Sequence, residues 1–149
     1  MLNRDFKEFA ELLHAHGVEY LLVGGYALAA HGHPRYTGDI DFWIAPEAAN
    51  IERLLAALAA FGFGSLGLRR EDFGGDSVIQ LGRPPNRIDL LTQIDGVNFA
   101  ECWPRRLQVV LEGTELQLIG LEDFKANKRA SGRLKDLADL EALEPPQQD

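Results

Sequence analysis

One short run, Asp39-Ile40-Asp41-Phe42-Trp43-Ile44, constrains this chain more than any other stretch. Side chains of a strand alternate between faces. Asp39 and Asp41 therefore share a face about 7 Å apart at Cα, while Ile40 and Phe42 turn toward a core. Taken alone, such an Asp-x-Asp is an exposed strand end or a helix cap. Two further features move it toward a site. Upstream, the apolar run Tyr20-Leu21-Leu22-Val23 ends in Gly24-Gly25. A glycine at a strand-to-helix turn lets backbone N–H groups meet a phosphate, although a plain tight turn reads the same way. Downstream, Asp89 alternates with Ile88 and Leu90 in a second strand-like run. If the two strands are neighbours, three carboxylates converge. Such a cluster repels itself without a cation, and its hard oxygen ligands suit Mg²⁺ or Mn²⁺. Alone, Asp89 reads as an exposed residue on a half-buried strand. Together these features point to metal-assisted chemistry on a nucleoside triphosphate.

The pattern along the chain predicts an α/β (α+β) fold, a small mixed β-sheet flanked by helices and closed by C-terminal helices. Phe6, Phe9, Leu12 and Leu13 fall at helical spacing within residues 3–16. A strand is expected over 20–23, a helix over 26–31, a loop over 33–38 and a strand over 39–44. A long alanine- and leucine-rich helix follows over 48–61. The glycine-rich stretch 62–75 reads as turns with at most one short strand. Strands over 77–81 and 87–91 form a hairpin-like pair, as do 108–111 and 115–119 around Glu112-Gly113-Thr114. A short helix over 97–103 and helices over 121–130 and 134–143 complete the pattern. Residues 1–143 are expected to form one domain and residues 144–149 a loose tail.

The 149 residues suit one domain, and 46% hydrophobic content supports a core. No apolar run reaches the roughly 20 residues that span a bilayer. The N-terminus is charged and lacks the apolar segment of a signal peptide, so a cytoplasmic protein is expected. A single cysteine, Cys102, excludes an internal disulfide framework and reads as a packed small side chain. The net charge of −8 argues against general nucleic-acid binding, which depends on neutralising phosphates. His31-Gly32-His33 lacks a third ligand of the kind a transition metal needs.

The stretch Leu22-Val23-Gly24-Gly25-Tyr26 followed by Thr37-Gly38-Asp39-Ile40-Asp41-Phe42 resembles the nucleotidyltransferase (polymerase-beta-like) superfamily. It is similar above all to the small bacterial members, including the MNT type and the nucleotidyltransferase toxins of abortive-infection systems. Gly24-Gly25-Tyr26-Ala27-Leu28, Arg35-Tyr36-Thr37, and Lys128 with Arg133-Leu134-Lys135-Asp136 carry the remaining likeness, which covers residues 18–140. Gly25 stands where many relatives have serine, which removes one hydroxyl contact. The resemblance implies catalytic, metal-holding roles for Asp39, Asp41 and Asp89, and nucleotide contacts from Gly24, Gly25, Arg35, Thr37 and Lys128. Lys135 is a second lysine of the same kind. Against these stand blander roles: a solvated helix face for Lys128 and Lys135, and a loop residue for Arg35.

The expected activity is transfer of an NMP group from an NTP to an acceptor hydroxyl, with release of pyrophosphate. The acceptor is left open between a small molecule such as a cationic antibiotic, a tRNA end and a protein hydroxyl. The charge favours the first, and Arg129, Arg133 and Lys135 keep RNA in view. The rival reading is a non-catalytic nucleotide- or partner-binding module, such as one component of a toxin–antitoxin pair; on either reading a partner protein or a homo-oligomer stays open. Retention of three mutually repelling aspartates favours catalysis.

Overall fold

A computed structural model describes residues 2–33, 38–83 and 86–144. Arg35 and Thr37, and the tail beyond Glu144, lie outside the described residues.

Helix α1 (Arg4–Ala15) starts where the Asn3 side chain accepts a hydrogen bond from the Phe6 N–H at 2.9 Å. Its buried residues Phe6, Phe9, Ala10 and Leu13 repeat at helical spacing and face the sheet. Strand β1 (Tyr20–Val23) is buried along its whole length, as expected of a strand covered on both faces. Helix α2 (Gly24–Ala30) follows without a loop, so the chain turns two residues earlier than the sequence suggests. Strand β2 (Ile40–Ile44) returns antiparallel to β1, with Val23 opposite Asp41. Helix α3 (Ala48–Leu58) runs on into a π-helical turn, Ala59–Phe63. Two short 3₁₀ turns, Gly64–Leu66 and Arg70–Phe73, then fill the glycine-rich stretch, which contains no strand.

Strands β3 (Val78–Leu81) and β4 (Ile88–Leu91) form the first expected hairpin. After α4 (Phe99–Cys102) and one more 3₁₀ turn, β5 (Leu107–Leu111) and β6 (Thr114–Leu118) form the second. Its turn residues Glu112 and Gly113 both have positive φ (51° and 82°), which matches the twist of a two-residue hairpin. Helices α5 (Leu121–Ser131) and α6 (Leu134–Leu143) close the chain.

The six strands form one mixed sheet in the order β3-β4-β2-β1-β6-β5. β4 lies parallel to β2 and β6 parallel to β1. One face packs on α1 and α3 through edge-to-face aromatic pairs, Phe9–Phe42 at 5.4 Å and Tyr20–Phe42 at 5.2 Å. Ile40, Phe42 and Ile44 supply β2 to this core, as the alternation requires. On the other face Trp43 meets Phe99 of α4 edge-on at 5.1 Å. Asp39 and Asp41 share that second face but stand beyond the cover of α4, where a cleft begins. No helix among the described residues is long and apolar enough to cross a membrane.

Candidate active site

The register of two parallel strands builds the centre of the cleft. Asp41 on β2 pairs with Asp89 on β4, and Gln80 on β3 sits opposite Asp89 on its other side. The carboxylates of Asp41 and Asp89 are in hydrogen-bond contact, which requires a proton on one of them. Burial, then the Asp89 charge and hydrogen bond, then the Asp39 charge, push the Asp41 carboxyl up from 3.8 to about 7. Lys135 pulls weakly the other way. The Asp41 carboxyl therefore keeps its proton to a higher pH than a free carboxylate does.

Gly24 closes the site from the β1 side. Its φ is +71°, and a Cβ at this position would collide with Asp41 Oδ2. No other residue type serves both demands: left-handed backbone and room for a carboxylate against the main chain. Gly25 follows inside α2 and is buried.

Asp39 joins the cluster through a residue whose role the sequence reading passed over. Arg87 donates Nε to Asp89 Oδ1 at 2.8 Å and Nη2 to Asp89 Oδ2 at 3.0 Å. The same Nη2 stands 2.8 Å from Asp39 Oδ2. One guanidinium therefore spans both aspartates. The signal was present, because Arg87-x-Asp89 repeats the two-residue spacing of Asp39-x-Asp41 at the start of the neighbouring strand.

The opposite wall comes from α5 and α6. Asn127 Nδ2 donates to the Asp95 carbonyl at 2.9 Å, and Gly96 packs against Ala130, fixing α5 to the loop after β4. Lys128 lines the cleft, but the residue is only 4% exposed and its ammonium is bonded to Asp136 (3.2 Å) and Asp139 (3.0 Å). Burial would raise the Asp136 carboxyl. Hydrogen bonds from Arg133 and Lys128 outweigh that and hold it down at about 2. Arg133 and Lys135 also line the cleft, and Lys135 is exposed. Arg129 points elsewhere and pairs with Glu144. Other residues noticed in the sequence take structural roles. His31 stacks on Phe124 and bonds the Ile119 carbonyl at 2.9 Å, and Cys102 is buried with its thiol pushed up to about 11, chiefly by burial.

The cleft has a volume of about 570 Å³. Its floor presents oxygen donors only, from Asp39, Asp41 and Asp89, which is the chemistry of a hard divalent cation. Gly24 leaves one of those oxygens space against the backbone. Among the described residues, no three His, Cys, Asp or Glu side chains are grouped tightly enough to hold an ion together. Arg87 takes up Asp39 and Asp89 instead. The chemistry of the three carboxylates suits such a cation, while their present arrangement serves the guanidinium.

The sequence from residue 2 to 144 matches the family described as "Nucleotidyltransferase of unknown function (DUF6036)". No curated protein matches the chain. Among solved structures, the fold is similar to an antigenic nucleotidyltransferase-like protein from Paracoccidioides brasiliensis. The TM-score is 0.55 at 22% identity, covering 93% of this chain and 73% of that one. It is also similar to a candidate nucleotidyltransferase from Thermotoga maritima, with a TM-score of 0.58 at 18% identity, covering 95% and 89%. At these identities the likeness speaks for the fold.

Proposed function

Since the chain belongs to this nucleotidyltransferase family, we propose that it transfers an NMP group from a nucleoside triphosphate to an acceptor hydroxyl, releasing pyrophosphate. The observation that carries the reading is the in-register pair Asp41 and Asp89 beside Gly24, at the floor of a cleft large enough for a nucleotide.

Asp41 and Asp89, with Asp39, would hold Mg²⁺ or Mn²⁺. Bound there, the cation would neutralise triphosphate charge and stabilise the attacking and leaving oxygens. The chain's own groups do the rest. Gly24 admits the Asp41 carboxylate against the main chain, which sets the cation-holding oxygens beside the triphosphate. Lys135, exposed on the facing wall, supplies positive charge to the triphosphate. Asp89 lies on the acceptor side and takes the proton of the attacking hydroxyl, whose oxygen bonds to the α-phosphorus as the bond to pyrophosphate breaks.

The acceptor best matched to this cleft is a small, positively charged hydroxyl compound. Asp76 and Asp95 line the cleft with the three aspartates, and Arg129 is turned away to Glu144. The test is Asp89→Asn, with nucleotide affinity by calorimetry and turnover on pooled acceptors. The variant is expected to keep much of the nucleotide affinity and lose most of the rate, the pattern left when a transition-state interaction is removed. Transfer at the parent rate would refute the mechanism. Nucleotide binding with no transfer by the parent to any acceptor would favour the binding module, such as one component of a toxin–antitoxin pair.

A further inference from the structure

We propose that Arg87 is a built-in counter-ion that a divalent cation must displace, so that it sets both the affinity and the charge selectivity of the site. The inference rests on the reading that these aspartates take a cation.

Three observations carry it. First, the guanidinium engages both oxygens of Asp89 and one of Asp39 at 2.8–3.0 Å, which are the lone pairs a cation would use. An ordinary ion pair for the buried Asp89 would need one carboxylate. This one spans two strands of the site and holds them as a cation would. Second, release needs only a side-chain rotation. The Arg87 carbonyl accepts from the Ile40 N–H at 3.0 Å, which anchors its backbone to β2. Its side chain is 25% exposed and already lines the cleft. Third, the nearby cations are engaged differently. Lys128 and Arg133 are bonded to Asp136, and Lys135 acts on Asp41. Exchange of one guanidinium for a monovalent ion gains no charge, and exchange for a divalent ion gains one. The site therefore discriminates by charge before it discriminates by size.

The experiment is Mn²⁺ binding to the full chain without nucleotide, followed by electron paramagnetic resonance of the free ion, in the parent, Arg87→Gln and Arg87→Lys. Arg87→Gln removes the competing charge-assisted hydrogen bonds and should bind Mn²⁺ about tenfold more tightly, with Arg87→Lys between. In the parent, the ¹⁵Nε–H resonance of Arg87 should move during Mg²⁺ titration with the midpoint of cation binding, a readout that needs no variant. Should Arg87→Gln not fold, Arg87→Lys and the resonance decide. Equal or weaker Mn²⁺ binding by the folded variants, or a stationary resonance while Mg²⁺ binds, overturns the role of Arg87 and leaves the cation site standing. No Mn²⁺ binding by the parent or any variant overturns both.

Discussion

Asp41→Asn should stabilise the cation-free protein at neutral and alkaline pH, and the gain should vanish in acid. The fold raises the Asp41 carboxyl from 3.8 to about 7, through burial first and then Asp89 and Asp39. Below pH 4 the proton is present in folded and unfolded chains alike, so this group has no effect on stability. Between pH 4 and 7 the unfolded chain loses a proton that the folded chain keeps, and stability falls as pH rises. Above 7 the loss is complete. At about 1.4 kcal/mol per pH unit the upper bound is about 4 kcal/mol. Asp41 is only half-buried, so solvent screening and relaxation bring the expected value to about 2 kcal/mol. Asparagine matches the carboxyl in shape beside Gly24, and its amide can donate to Asp89 as the protonated Asp41 does. For a chain of this length the gain corresponds to a Tm rise of about 4–8 °C. The assay is thermal unfolding by circular dichroism from pH 4 to 8 with EDTA. Parallel profiles for the two proteins, or a lower Tm for the variant at pH 8, would refute the raised Asp41 carboxyl.

Three further outcomes are expected. Lys128→Met leaves Asp136 and Asp139 buried with only part of their compensation, and should cost about 3–5 kcal/mol in urea unfolding; unchanged stability with lost nucleotide binding would instead make Lys128 a ligand of the triphosphate. Gly24→Ala forces a side chain into left-handed backbone, at about 1–2 kcal/mol, and against Asp41; combination with Asp41→Ala should recover part of the cost, and strict additivity of the two would argue against the contact. Lys135→Met should change stability by no more than about 0.5 kcal/mol yet weaken MgNTP-dependent thermal stabilisation, and a parent-like thermal shift would remove Lys135 from the nucleotide site.

The alternation around Asp39 and Asp41 was legible because period two is a local property of a strand. It placed Ile40 and Phe42 in the core and the carboxylates on the other face without any knowledge of the sheet. The partnership of Asp89 was legible only as a condition, since strand order is non-local; the parallel β2–β4 pairing met it. Arg87 was overlooked because a charged residue at the start of a strand ordinarily faces solvent; the two-residue spacing to Asp89 was a signal, and the register gave it its meaning as a bridge between two aspartates. Lys128 illustrates the opposite difficulty. Its partners lie 8 and 11 residues away across the turn at Gly132, beyond any helical spacing, so the hairpin of α5 and α6 had to exist before the pairing could be read. In the glycine-rich stretch, Gly62 and Gly67 adopt positive φ, which bends the chain into short turns where a strand was possible.

Helix α6 has a consequence for how the molecule breathes. The residues it buries are Asp136, Asp139 and Leu143, while Leu134 and Leu137 remain exposed. The helix is docked by a buried ionic latch to Lys128 and by Leu143, which joins the core. The central strands are buried and paired on both sides. The amides of α6 need only the latch to open, so in native-state hydrogen exchange they are expected to be less protected than those of the central strands. It carries Lys135, so each such opening swings one wall away from the cleft while the aspartate floor stays assembled. The cleft would widen in this way without any change in the pairing of the sheet.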